Sequence, residues 1–282
     1  MPSSFEFALF GDTHLGSSLV HEEGINILID WLNRGAHYGW HMGDWVEGIL
    51  TDDPRFQADA TSILTPHKQR DYVIRKFSPV KKHIKGSLIG NHEFKLINYG
   101  NIVKDICNSL KIVYGTYVSV VRFYDKHGFL FNLYLGHGWR SIGSNAKDFE
   151  QRQANMKAAL KMQLKYKAGD CLVQAIGHTH KLLVVEPTPQ LYLLHEGEKN
   201  KGKVRSYYLN EDIPGSGFID PDQRWYVNSG SFLKLSSDVV DEDGDPISGY
   251  AERKGYDPIE LGYSVLIVKD RMLEGIELIK VG

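Results

Sequence analysis

Apolar residues fall along this chain in two rhythms, short nearly unbroken runs and longer stretches that recur every three or four positions. The run at 5–10 predicts a buried strand. Residues 25–36 carry Ile25, Leu28, Ile29 and Leu32 at helical spacing, and 38–42 predicts the next strand. A second helical stretch at 66–84 leads into a strand at 87–89. Strand–helix–strand alternation of this kind predicts βαβ units in a largely parallel sheet. The rhythm then changes. Runs at 117–124 and 129–135 flank Asp125-Lys126-His127-Gly128, a hairpin signal. Further strands are predicted at 171–176, 182–185, 190–195, 204–209 and 225–227. A last hairpin spans 264–269 and 274–281, turning at Asp270-Arg271. Two mixed sheets flanked by helices, an α/β four-layer αββα sandwich, accommodate this order.

We expect one domain over residues 1–282, with a helical insertion at about 139–168 and an excursion from the sheet at about 187–222. Within the insertion, 146–167 reads as a helix with Phe149, Met156, Leu160 and Leu164 on one stripe. Lys157, Lys161 and Lys165 occupy another face, which reads either as a basic cleft edge or as a solvated surface. The segment 238–245 holds five acids in eight residues and reads as a solvated loop, since the ligand spacing of a calcium loop is absent.

Composition narrows the classes. The 33 basic and 35 acidic residues give a formal charge of −2, which argues against a general polycation that coats nucleic acid or an anionic membrane. No run approaches the about 18 apolar residues of a membrane span. The residues Met1-Pro2-Ser3-Ser4-Phe5 carry no charged region of the kind that opens a signal peptide. Cys107 and Cys171 sit in apolar stretches and read as reduced core residues, which suits the cytoplasm.

The chemistry lies where apolar runs end. Five of them stop at a glycine followed by a potential metal ligand: Gly11-Asp12-Thr13-His14, Gly43-Asp44, Gly90-Asn91-His92-Glu93, Gly136-His137-Gly138 and Gly177-His178-Thr179-His180. In an open α/β sheet, residues just past the carboxyl ends of strands converge on one crevice. Carboxylates, an amide and imidazoles with no thiolate suit Mn²⁺, Fe, Zn²⁺, Co²⁺ or Ni²⁺. Each piece alone has a plain reading as a turn, a helix cap or a surface strand; the ordered set has none.

This order of motifs resembles the calcineurin-like metallophosphoesterase superfamily, over about two-thirds of the chain from Asp12 to His180. The resemblance implies that Asp12, His14 and His180 hold one divalent ion. It assigns Asn91, His137 and His178 to a second, with Asp44 bridging. Manganese is the leading expectation for both. His92 matches the superfamily's proton-donating histidine, and Glu47 falls where relatives carry an acid that orients it, with an exposed helical carboxylate as the less favoured reading. Two such ions lower the pKa of a bridging water and clamp phosphoryl oxygens, so a bridging hydroxide is expected to attack phosphorus directly. His92 would then protonate the leaving oxygen.

Departures from particular branches bear on the substrate. Protein phosphatases of the superfamily carry an arginine soon after the second motif, and Gly43-Asp44-Trp45-Val46-Glu47-Gly48 lacks it. Asp12-Thr13-His14-Leu15-Gly16 is similar to the opening of its DNA-repair nucleases, but no recognisable nucleic-acid module follows His180. Trp139 and Arg140 follow His137 directly and are candidates to line the cleft; Arg140 reads either as a phosphate contact or as a surface ion pair. The leading expectation is a phosphodiesterase acting on nucleic acid or nucleotides. The alternatives are a phosphomonoesterase or nucleotide pyrophosphohydrolase and, from another class, a non-catalytic scaffold.

Overall fold

Side chains alternate across β1 (Phe5–Phe10), and that alternation sets the layers. Phe5, Phe7 and Leu9 share a buried cluster with Phe123, Leu133 and Val173 from a second sheet. Ala8 and Phe10, on the opposite face, share another with Leu28, Phe77 and Ile106 from helices. This computed structural model describes residues 1–282 except 59, 189, 197–202, 209–216, 236–239, 241–242, 247–251 and 253–254.

The first sheet grows from β1 through three parallel additions, β2 (His37–His41), β3 (Ile84–Ser87) and β4 (Val113–Tyr114). The crossovers carry α1 (Glu22–Leu32), α2 (Pro66–Phe77), the short α3 (Asn91–Lys95) and α4 (Ile102–Leu110). The second sheet contains β5 (Val118–Asp125), β6 (Gly128–Gly136), β7 (Val173–Ile176), β8 (Leu182–Val185) and β11 (Trp225–Ser229), ordered β5-β6-β7-β11-β8. Here β6, β7 and β11 run parallel, while β5 and β8 are antiparallel edges. The helix α5 (Phe149–Leu164) covers the outer face of this sheet, packing Met156, Leu160 and Leu164 with Ile176, Leu183 and Tyr226. Strands β12 (Gly262–Lys269) and β13 (Met272–Lys280) return to the first sheet, with β12 antiparallel to β1. The molecule is therefore α/β, with two mixed sheets packed face to face and helices outside them.

Several expectations shift in position. The predicted strand at 87–89 lies at Ile84–Ser87, and the preceding helix ends at Phe77 instead of running to 84. Pro79 accounts for both: it has no N–H to continue the α-helical ladder, so the helix stops and the chain tightens into a 3₁₀ turn at Ser78–Val80. The strand begins earlier, and Leu88 and Ile89 are released to carry the chain toward Gly90. The helix α4 and strand β4 were not anticipated. The final turn is as expected: Asp270 and Arg271 have φ of 45° and 74°, the left-handed pair of a tight hairpin.

Within the excursion, β9 (Leu191–Glu196) and β10 (Lys203–Tyr208) pair, among the described residues, only with each other. Half of the acidic stretch, 238–239 and 241–242, falls outside the described residues. Cys107 and Cys171 are buried and free, in different clusters. Among the described residues, no helix is long and apolar enough to cross a membrane.

Candidate metal centre

All five glycine-plus-ligand pieces leave the carboxyl ends of strands, three from β1, β2 and β3 of one sheet and two from β6 and β7 of the other. Main-chain hydrogen bonds join them. Asp12 N–H donates to the Gly43 carbonyl (2.9 Å), Thr13 N–H to that of Asp44 (2.9 Å), and Gly177 N–H to that of His137 (3.0 Å). His178 N–H crosses between the sheets to Asp12 Oδ2 at 2.9 Å.

The turns are tight. Of nine non-glycine residues with positive φ among those described, five are candidate ligands: Asp12, His14, Asp44, His178 and His180. This backbone region is costly for residues with a Cβ, and such strain collects at functional sites. Glycines make room for it. A Cβ on Gly90 would lie 2.0 Å from Asp44 Oδ1, and one on Gly43 would lie 2.5 Å from His137 Nδ1.

Three groups of side chains could each hold a metal ion, their ligand atoms within 4.8 Å of one another: Asp12, His14 and His180; His14, Asp44 and His92; Asp44, His137 and His178. Asp44 Oδ2 lies 3.9 Å from His14 Nε2 and 3.3 Å from His137 Nε2. Asn91 Oδ1 joins the last group, 2.9 Å from His137 Nε2 and 2.7 Å from His178 Nδ1. His180 Nε2 stands 3.3 Å from Asp12 Oδ1. The seven residues named from the sequence thus converge on one spot.

The donor set fits cations. Asp12 Oδ1 and His14 Nε2 are buried without a hydrogen-bond partner, an arrangement that costs free energy unless something binds there. His137 turns its other nitrogen to the Met42 carbonyl, Nδ1 donating at 2.8 Å, which leaves Nε2 for a ligand.

Electrostatics concentrates here. Burial opposes charge on His14, but the Glu47 hydrogen bond and the carboxylates of Asp44 and Asp12 outweigh it and raise its pKa to about 9. His137 reaches about 9 in the same way, with Asp44 the main opposing influence to burial. Asp44 is held well below the carboxylate range, because His137 and His92 overcome the cost of burying its charge. For His92, burial dominates and depresses the pKa.

The predicted role of Glu47 needs correction. Its Oε2 bonds His14 Nδ1 at 2.9 Å, so its side chain orients a candidate ligand and not His92. His92 is held instead by the main-chain oxygen of Glu47, to which Nδ1 donates. The residue therefore supports both histidines, one through each part of its structure.

Trp139 and Arg140 do not line the cleft. Both are exposed, and Trp139 lies under the Lys167 ammonium, 4.4 Å from the ring centroid. Glycine at 138, with φ of 107°, turns the chain so that Ser141, Ile142 and Gly143 form the wall instead. The lysines of α5 do not line it either, and Lys161 is paired with Asp222.

Two residues escaped the sequence reading. Glu93 is fully buried and accepts from the N–H groups of Asp44 (3.2 Å), Val46 (3.1 Å) and Gly90 (2.9 Å), so it locks the Asp44 turn to the Asn91 turn. A glutamate three residues after Gly90, at the third position of a helix, is a capping signal that was available. Burial and the nearby Asp44 charge push its pKa to about 7. The other is Arg55, which reaches the cleft from the irregular segment after Gly48, where no sequence signal marks it.

The cleft measures about 410 Å³, with His14, Asp44, Asn91, His92, His178 and His180 along its floor. Leu19, Ile49, Ile142, Met156, Leu233 and Ile259 form an apolar flank.

No protein-family model matches this chain, and no curated protein matches it.

Proposed function

We propose that this protein is a dinuclear metal-dependent phosphoesterase with the calcineurin-like metallophosphoesterase fold, hydrolysing phosphodiesters of nucleotides or nucleic acid. The observation that carries the proposal is the position of Asp44, whose single oxygen Oδ2 faces both histidine groups. A carboxylate so placed suits two cations better than one. Asp12, His14 and His180 would hold the first, and Asn91, His137 and His178 the second. Mn²⁺ is the first choice, with Fe, Zn²⁺, Ni²⁺ and Co²⁺ as alternatives for this nitrogen and oxygen set. When bound, two such ions supply Lewis acidity and a water of lowered pKa.

The chain's own residues divide the remaining work. His92 presents Nε2 on the cleft side, since its Nδ1 is committed to the Glu47 carbonyl. Once the ring is protonated on both nitrogens, that atom is placed to give a proton to the leaving oxygen. Glu47 fixes the tautomer of His14 so that Nε2 is the ligand atom. Buried, unbridged thiols suit a cytoplasmic location.

The test is hydrolysis of bis(p-nitrophenyl) phosphate and of oligonucleotides by protein reconstituted with Mn²⁺, beside metal analysis. Turnover of a phosphomonoester alone would replace the diesterase reading with a monoesterase. A protein that binds no metal and hydrolyses nothing would be the scaffold.

A second reading concerns substrate size. A cleft of about 410 Å³ with an apolar flank fits one nucleotide-sized ester; its basic lining residues are Arg55, Lys181 and Lys234, and none comes from α5. Faster hydrolysis of cyclic or dinucleotide diesters than of long single strands is the result expected on this reading.

A further inference from the structure

Arg55 stands beside His92 on the cleft wall, its Nη1 3.5 Å from His92 Nε2. The guanidinium is fixed in place from behind. Asp53 accepts from Arg55 Nε at 2.9 Å and from Nη2 at 2.7 Å, a two-bond fork. Asp53 also accepts from the Arg55 main-chain N–H at 2.9 Å, so the carboxylate clamps both ends of the residue. Only about a fifth of each side chain is exposed. A guanidinium held this way loses less freedom when it binds an anion, and its planar geometry matches phosphoryl oxygens.

We propose that Arg55 is a substrate-phosphate ligand of this cleft and that Asp53 is its positioning residue. The arginine that the sequence lacks after Gly43-Asp44 is supplied by a later segment, and it approaches from the His92 side. It gives the cleft an organic cation next to the proposed proton donor, where a phosphoryl oxygen can contact Nη1 while the leaving oxygen faces His92 Nε2. Arg140, the sequence candidate for this task, is exposed and lies outside the cleft. This inference rests on the phosphoesterase reading of the same site.

The experiment measures inorganic phosphate binding to the Mn²⁺-loaded protein by calorimetry, with metal content determined on each sample. Arg55→Ala is expected to weaken phosphate binding by about 10- to 100-fold with the metal content unchanged, the usual effect of losing a charged hydrogen bond. Arg55→Lys keeps the positive charge without the fork and is expected to fall between wild type and Arg55→Ala. Asp53→Asn is expected to weaken phosphate binding less than Arg55→Ala, and to raise KM more than it lowers kcat on bis(p-nitrophenyl) phosphate. Phosphate affinity within about twofold of wild type in Arg55→Ala overturns the proposal, as does loss of metal in that variant or absence of phosphate binding by the wild type. If Arg55→Ala does not fold, wild-type phosphate affinity in Arg55→Lys overturns it. Weakened phosphate binding in a protein that hydrolyses no ester would leave Arg55 as the anion ligand and remove the enzymatic reading. Hydrolysis with unaltered phosphate affinity in Arg55→Ala would do the reverse.

Discussion

Glu47 Oε2 accepts from His14 Nδ1 at 2.9 Å, and the same residue's carbonyl oxygen takes the proton of His92 Nδ1. One residue therefore sets the direction of a metal-binding candidate with its side chain and of a proton-transfer candidate with its backbone. The two functions separate under mutation. Glu47→Gln leaves the carbonyl in place and removes only the charged acceptor. Its expected effect is a 10- to 100-fold loss of metal affinity at the Asp12, His14 and His180 group, typical of a partner that orients a ligand histidine. Metal titration followed by calorimetry checks it; unchanged affinity would remove this role for Glu47.

His92→Ala is expected to keep its metal while kcat on bis(p-nitrophenyl) phosphate falls by about 10²–10⁴, the usual worth of a general acid. His92 also belongs to a third group of close donors with His14 and Asp44, so the metal content of this variant decides between the two roles. Loss of an ion on substitution would make it a ligand.

Asp44→Ala removes the carboxylate that faces both histidine groups. Elemental analysis is expected to show both ions lost or weakened together. Retention of two tightly bound ions in this variant would rule out a bridging Asp44.

Chelation should lower the melting temperature, because a ligand that binds only the folded state stabilises it, by about 2.7 kcal/mol at a hundred times its Kd. Added Mn²⁺ is expected to restore the transition in the wild type and to have little effect in Asp44→Ala. Scanning calorimetry with and without the chelator reads this directly.

Glu93→Ala leaves three buried main-chain N–H groups without their acceptor. A destabilisation of about 2–4 kcal/mol is expected, since each unsatisfied buried donor costs about 1–3 kcal/mol and the turns relax in part. Chemical denaturation measures it. Glu93→Gln keeps an acceptor oxygen and should be milder.

Legibility followed the range of the interaction. Most strand runs, the helix of the insertion and the hairpin at Asp270-Arg271 are local patterns and were readable; the two-residue β4 was not. The helix α4 was not among the expectations although Ile102, Ile106 and Leu110 recur at helical spacing. The boundary at Phe77 depends on Pro79, which is itself a local signal.

The ligand candidates were legible because glycine and a polar donor must both sit where a parallel strand ends, and that requirement writes itself into neighbouring positions. Trp139 and Arg140 were misplaced for the opposite reason. Adjacency to His137 says nothing about direction once Gly138 turns the chain.

Side-chain periodicity and glycine's tolerance for tight turns wrote into the chain the alternation of strands and helices, the donor types, and their placement after apolar runs. Packing fixed the rest: which donors face each other, that Glu47 serves His14 through its carboxylate, that Glu93 fastens two turns together, and that Arg55 reaches His92. These contacts join residues far apart along the chain through packing of two sheets, and no local pattern encodes the direction in which a side chain points once those sheets have met.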